Sequence, residues 1–398
     1  MLRQVQRTPD YAQVATHEQH VAFAVPGDLA TPTGGYRYDR RIIQELRQLG
    51  WQVEVADIGE DFPFPSTAQR SAALAILSAL PAGHPIVLDG LAFGALPEAA
   101  ALRSRTPLIA LVHQPLALDP GLDPAQADAF RDTERAALAA AARVVVTSEA
   151  TARIVMADYG VPSQRISVVR PGNDPVPVAP GSSDGVVRLL SVGSVLPVKG
   201  YDLLIAALAT LTEMPWQLTI AGDRSRNPAA AAQLDADIEA HGLGGRVAVL
   251  GAVPPERINE LFLASDVFVL ASRFEGYGMA LAEAIAHGIP VVSTLAGAIR
   301  QTVPAGTGLL VPPNDAAALA QALCRLIGDP AERRRLAMNA HAAASQLPTW
   351  QNSARLFAGA IATVGSCVSA RATRSEIRPG RAGRKNGMSK PLNLQPSG

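Results

Sequence analysis

From Val267 to Val292 the chain passes through four kinds of sequence in a fixed order. An apolar run, Val267 to Leu270, is followed by a glycine-broken loop, an alanine-rich helical stretch beginning near Gly278, and a second apolar run opening at Val291-Val292. Gly288 and Pro290 stop the helical stretch. This order is strand, glycine-rich turn, helix, strand, and it predicts a parallel crossover unit. Such a unit leaves free backbone N–H groups where the helix begins, a seat for an anionic group such as a phosphate. One carboxylate, Glu275, lies in the loop before the seat, and a second, Glu283, lies on the helix behind it. Acids flanking a phosphate seat suit recognition of hydroxyls next to phosphates, the combination found in a nucleotide sugar.

The same grammar runs through the chain twice. In the first half, Val21 to Val25, Val53 to Ala56, Ile86 to Leu88, Leu108 to Val112 and Val144 to Thr147 read as strands. Helical patterns over Tyr38 to Leu49, Ser71 to Leu80 and Ala125 to Ala142 alternate with them. In the second half, strands at Leu189 to Val192, Leu218 to Ala221 and Val247 to Leu250 alternate with helices at Tyr201 to Leu211, Ala229 to Ala240 and Pro255 to Ala264. Helices at Ala316 to Ile327 and Ala331 to Ala344 follow. Between the halves, Pro171 to Pro177 and Pro180 to Gly185 are rich in turn formers.

The predicted fold class is therefore α/β, with two doubly wound, Rossmann-like parallel-sheet domains facing a central cleft. The expected organisation is a flexible N-terminus over 1–19, a first domain over 20–175 and a linker over 176–187. A second domain follows over 188–345, then a final helix over 346–365 and a disordered basic tail over 366–398.

Composition narrows the function classes. The chain of 398 residues is 48% hydrophobic, enough for two cores, and its formal net charge of zero argues against nucleic-acid binding through a basic surface. Cys324 and Cys367 offer neither a disulfide framework nor metal-ligand spacing, which fits a reducing cytoplasmic setting. No apolar run approaches the roughly 20 residues that span a bilayer. The basic tail allows a weak peripheral pull toward an anionic inner membrane face, with plain solvation the favoured reading. Lys199, Lys385 and Lys390 are the only lysines, so Lys199 alone stands in the folded body. A compact ammonium among arginines marks a place where a point charge works better than a fork.

Lys199 lies in Gly193 to Asp202, between a strand and a helix, where it and the helix start can share one phosphate pair. The plain alternative is a solvated lysine, since the loop lacks P-loop spacing. Glu275 and Glu283, on one loop and its following helix, are better placed to touch different parts of one ligand than to work as a glycosidase pair. Gly34-Gly35, between a strand and a helix, permits close approach of backbone to a ligand. His113 and Asp89 each end a strand, where sites are built in such sheets; a packed structural role is the alternative for His113.

These motifs resemble glycosyltransferase family four, retaining enzymes of the GT-B fold. The resemblance rests on the two glutamates Glu275 and Glu283 with Phe274 to Gly278 around the first. It also rests on Ala284 to Val292, Val192-Gly193, Lys199-Gly200, Gly222-Asp223 and Gly308 to Pro312. The first half is similar more loosely, through Gly34-Gly35, His113 and Pro171-Gly172. The resemblance implies that Glu275 contacts the donor sugar, Glu283 the ribose, and the amides of Gly278, Met279 and Ala280 the diphosphate. Lys199 neutralises that diphosphate, His113 lies near the reacting sugar, and base contacts are largely backbone, near Val253. Gly193 and Ser194 form the first loop of the second domain. Where this chain has Ser194 the family commonly has Arg, so a charge clamp is missing or supplied by Arg224 or Arg273.

The resulting expectation is a retaining, metal-independent glycosyltransferase of the hexosyltransferase kind, in glycan, exopolysaccharide or glycolipid synthesis. It would move a sugar from a UDP, GDP or ADP sugar to a saccharide or lipid-linked acceptor, with no cofactor. The alternatives are a silent nucleotide-sugar binding protein and, less favoured, a nicotinamide-dependent oxidoreductase, which needs a glycine fingerprint that neither first loop carries.

Overall fold

The structure is a computed structural model that describes residues 19–376, with side chains through residue 364. The first six strands are β1 (His20–Val25), β2 (Gln52–Asp57), β3 (Ile86–Asp89), β4 (Leu108–Val112), β5 (Arg143–Val146) and β6 (Ile166–Val168). They form one sheet in the order β2-β1-β3-β4-β5-β6, every pair parallel. The next six are β7 (Val187–Val192), β8 (Trp216–Ala221), β9 (Val247–Val249), β10 (Val267–Leu270), β11 (Val291–Thr294) and β12 (Gly308–Val311). They form a second parallel sheet in the order β12-β11-β10-β7-β8-β9.

Helices connect the strands and cover both faces, so the central strands β3, β4, β10 and β11 are buried along their whole length. That double burial is why β4 and β10 read as unbroken apolar runs rather than as alternating ones. In each sheet the winding reverses once, at β1/β3 in the first and at β7/β10 in the second. The crevice beyond the strand ends at such a reversal is where open α/β sheets take ligands.

The closing helix, Trp350–Glu376, belongs by chain order to the second half but packs on the first. Trp350, Phe357 and Ile361 share a core with Phe23 of β1 and with Tyr38, Ile42 and Leu46 of the first helix, Gly34–Gln48. The Phe23 and Phe357 rings stack at 5.6 Å between centroids. The closing helix continues to Glu376, past the 365 boundary predicted for it, because the Ala- and Arg-rich stretch there suits a helix. The expected flexible N-terminus before residue 19 and the remaining tail from 377 to 398 lie outside the described residues.

Several short elements, β12 among them, carry too little periodicity to be read from sequence, and two show why. The helix Glu149–Tyr159 is set by the Ser148 cap on the Thr151 N–H and ended at Gly160. Strand β6 is only three half-buried residues long. The first helix also begins at Gly34 rather than at Tyr38, because the Thr33 hydroxyl accepts from the Tyr36 N–H and caps it there. Among the described residues no helix is long and apolar enough to cross a membrane.

Candidate active site

The loops after β1, β3 and β4 and those after β7 and β10 meet, bringing the two winding reversals together. The tightest point is Gly276. A methyl group there would lie 2.0 Å from the His113 carbonyl oxygen. The Thr151 hydroxyl donates to the Gly276 carbonyl at 3.3 Å, and the Thr147 hydroxyl donates to the His113 carbonyl at 3.2 Å. Only a residue without a side chain lets the two loops approach this closely.

On the second-half side, Lys199 ends the short turn Pro197–Lys199, and its ammonium donates to Glu275 Oε1 at 2.7 Å. Glu275 is buried, and the Ser272 hydroxyl donates to the same oxygen at 2.7 Å. Paired and hydrogen-bonded in this way, a buried carboxylate has its polar oxygen satisfied. Gly193 lies beside this pair. Its carbonyl accepts from Tyr201 at 2.7 Å, and a methyl on it would be 3.4 Å from Lys199 Cε. Ser194 is the next residue in that loop, half-buried.

Gly278 takes φ +89°, in the left-handed region open to glycine, and opens the helix Met279–Ala286. No side chain caps this helix, so the N–H groups at Met279 and Ala280 keep the unfilled donor capacity of a helix start. Two turns hold the remaining acid. Glu283 pairs across the cleft with Arg37 of the first helix, 246 residues away in sequence. Burial pushes the Glu283 carboxyl above its ordinary value, and the Arg37 charge opposes that shift.

On the first-half side, Gly34 and Gly35 are the first two residues of their helix, and a methyl on Gly35 would lie 3.2 Å from His113 Cδ2. His113 Nε2 lies 3.1 Å from Asp39 Oδ1 and 3.5 Å from Asp89 Oδ2. Burial works against a charged imidazole, but the two carboxylates outweigh it and hold His113 above its ordinary value, at about 10. Burial pushes Asp39 up to about 7, with the imidazolium pulling it down. Asp39 Oδ2 is buried without a hydrogen-bond partner. One ligand atom from each of Asp39, Asp89 and His113 lies within 4.8 Å of the others, a spacing that a cation could also use.

This trio yields a pH prediction. Asp39, raised to about 7, loses its own contribution first, as pH rises through that value. The folded His113 value exceeds the unfolded one, so His113 contributes its full stability below about pH 6.5 and loses it as pH rises through about 10. The wild-type melting midpoint should therefore fall more steeply than that of His113→Gln across this window. Equal slopes in a pH series of thermal melts would contradict the pairing.

Of the residues singled out from sequence, the structure brings together Gly34, Gly35, His113, Gly193, Lys199, Glu275, Gly278, Met279, Ala280 and Glu283 around one cleft. The two arginines expected to stand in for a missing clamp are engaged elsewhere. Arg224 pairs with Asp235 of the helix Pro228–Ala240, and Arg273 forms a two-point bridge to Asp202 at 2.7 and 3.0 Å. Val253 packs, half-buried, against the core that contains Leu190, Ala221 and Phe262. Sequence reading missed Arg37 and Asp39 as site residues. Asp39 left a signal: it falls in the stripe Asp39, Ile42, Ile43 and Leu46, a carboxylate on the apolar face of an amphipathic helix. Arg37 left none.

A model of the glycosyl transferases group 1 matches residues 177–343, and one of glycosyltransferase family 4 matches residues 86–176. A D-inositol 3-phosphate glycosyltransferase of Xylanimonas cellulosilytica is 33% identical over 282 residues, covering 64% of this chain and 66% of the relative. One of Nocardia farcinica is 31% identical over 262 residues, covering 58% and 57%. The chain thus spans between about half and two thirds of the length of these curated relatives. Among solved structures, a sucrose-phosphate synthase from Thermosynechococcus elongatus shares the fold with TM-score 0.72 at 22% identity, covering 90% of this chain and 100% of its own. The Anabaena protein HepE, solved with UDP and glucose, does so with TM-score 0.67 at 22% identity and the same coverage. Both halves match adjoining models of one family and fold as its GT-B members do, so this chain belongs to the family-four, group 1 glycosyltransferases.

Proposed function

We propose that this chain transfers a sugar, with retention at the anomeric carbon, from a nucleoside diphosphate sugar to an acceptor hydroxyl. The observation that carries the reading is the pairing of a buried, lysine-bound carboxylate with an uncapped helix start at the junction of two winding reversals. In this reading residues 20–175 receive the acceptor and residues 188–345 hold the donor.

The main barrier is charge growing on the leaving diphosphate. The N–H groups at Gly278, Met279 and Ala280 face that charge, and Lys199 adds a full positive one, so the stabilising dipoles are in place before the bond breaks. Glu275 takes the donor sugar's hydroxyls while aiming the Lys199 ammonium. Glu283 takes the ribose hydroxyls, which can donate to it as Arg37 does. His113, kept cationic by Asp39 and Asp89, sits where the halves touch and donates toward the reacting sugar. Closure at Gly276 excludes water and favours transfer over hydrolysis.

One comparison supports the donor class: HepE was solved with UDP-glucose. Two curated relatives are named D-inositol 3-phosphate glycosyltransferases, which supports sugar transfer. A saccharide or lipid-linked acceptor fits the reading, and the first half's loops select it. The test is a thermal-shift panel of UDP, GDP and ADP with their common sugars. One base series should raise the melting midpoint by several degrees, and release of that diphosphate should follow when acceptors are added. A panel with no shift for any nucleoside diphosphate would overturn the reading.

A further inference from the structure

In this structure each of the two site acids carries one cation. Lys199 sits on Glu275 and Arg37 sits on Glu283. Three further arginines are already engaged: Arg273 on Asp202, Arg224 on Asp235, and Arg40 on the carbonyl oxygens of Leu29 and Thr31. A nucleoside diphosphate leaves with more than one negative charge, and one ammonium neutralises only part of it.

We propose that Arg37 is a diphosphate-binding residue supplied by the first half, held against Glu283 until a donor's ribose takes its place. This inference rests on the donor-site reading above and adds a residue and an exchange to it.

Three physical points support the exchange. A half-buried carboxylate still needs hydrogen-bond donors, and the Arg37 guanidinium and a ribose diol can each supply two. The diol therefore releases Arg37 without leaving Glu283 unpaired. Next, the travel is short. Glu283 follows Met279 by four residues, a rise of about 6 Å along the helix axis. That lies within the reach of an arginine side chain, so the guanidinium can turn from Glu283 toward the helix start with the backbone in place. Finally, the Arg37 side chain is 42% exposed while that of Glu283 is 16% exposed, so the arginine is the partner free to move. A fork-shaped guanidinium also binds phosphate oxygens two at a time, which an ammonium does not. The exchange would tie occupation of the ribose site to the arrival of the second positive charge.

The test compares nucleoside with nucleoside diphosphate. Calorimetric affinities for uridine and UDP, guanosine and GDP, and adenosine and ADP are measured on wild type, Arg37→Ala and Arg37→Lys. In Arg37→Ala the preference for the diphosphate over its nucleoside should shrink about tenfold. The nucleoside alone should bind as well as in wild type or better, because no arginine has to leave Glu283. Arg37→Lys, which preserves the charge and the fold, should retain part of the preference. A preference within twofold of wild type in both variants would show that the bridge only holds the halves together. If the wild type itself binds none of the three diphosphates, the donor-site reading fails and this inference fails with it. Binding by the wild type with an unchanged preference in the variants sinks the Arg37 assignment alone.

Discussion

Lys199→Ala is expected to lower kcat by about 10²–10³-fold, the usual cost of losing one preorganised group that meets developing transition-state charge. Glu275→Gln should fall into the same range. The two side chains act as a unit: the 2.7 Å contact aims the ammonium, and the ammonium gives the buried carboxylate its partner. The double variant should therefore be little worse than either single one, as expected of groups that share one task. Lys199→Arg should not rescue. The planar guanidinium spreads its charge over a fork and does not reproduce the compact ammonium's 2.7 Å contact with Glu275 Oε1. Initial rates with the donor chosen by the thermal-shift panel, alongside circular dichroism to confirm folding, decide the matter. Turnover near wild type in either single variant would remove both residues from the chemistry.

The second large effect concerns the join between the halves. Gly276 is outside the left-handed region, so alanine suits its backbone and the consequence of Gly276→Ala is purely steric. The added methyl would stand 2.0 Å from the His113 carbonyl oxygen, and carbonyl oxygens of a packed strand end do not retreat by more than an ångström. The halves must part instead. His113 then moves away from the Glu275 and Lys199 pair, and a displacement of about 1 Å in a reacting constellation costs about 100-fold. We expect kcat/KM to drop by that order while the melting midpoint changes little, since each sheet keeps its own core. Binding of the free nucleoside diphosphate should also persist, weakened by no more than the share that Arg37 supplies, because the helix-start seat and Lys199 lie in the second half. Activity within twofold of wild type would mean that the contact at Gly276 is dispensable for turnover.

Much of this architecture is local chemistry and was legible in residue order. The strands are apolar runs because helices bury both faces of each sheet. The helices end where Gly or Pro stops them, and the seat before Met279 follows from a glycine between a strand and a helix. Glu275, Glu283, Lys199 and His113 could be singled out because strand ends in doubly wound sheets are where sites form, and because one lysine stood alone among arginines. Elements without such a signal escaped. Strand β6 is short and half-buried, and the helix Glu149–Tyr159 depends on a serine cap that many loops also contain.

What residue order by itself determined, then, is the repeated strand–helix alternation and the chemical character of each loop, since periodicity and turn chemistry act over a few residues. Tertiary structure decided which loops meet. It placed Arg37 on Glu283, ringed His113 with Asp39 and Asp89, and turned Arg224 and Arg273 toward other acids. Those pairings depend on how two sheets wind and dock across hundreds of residues, a geometry that no window along the chain encodes.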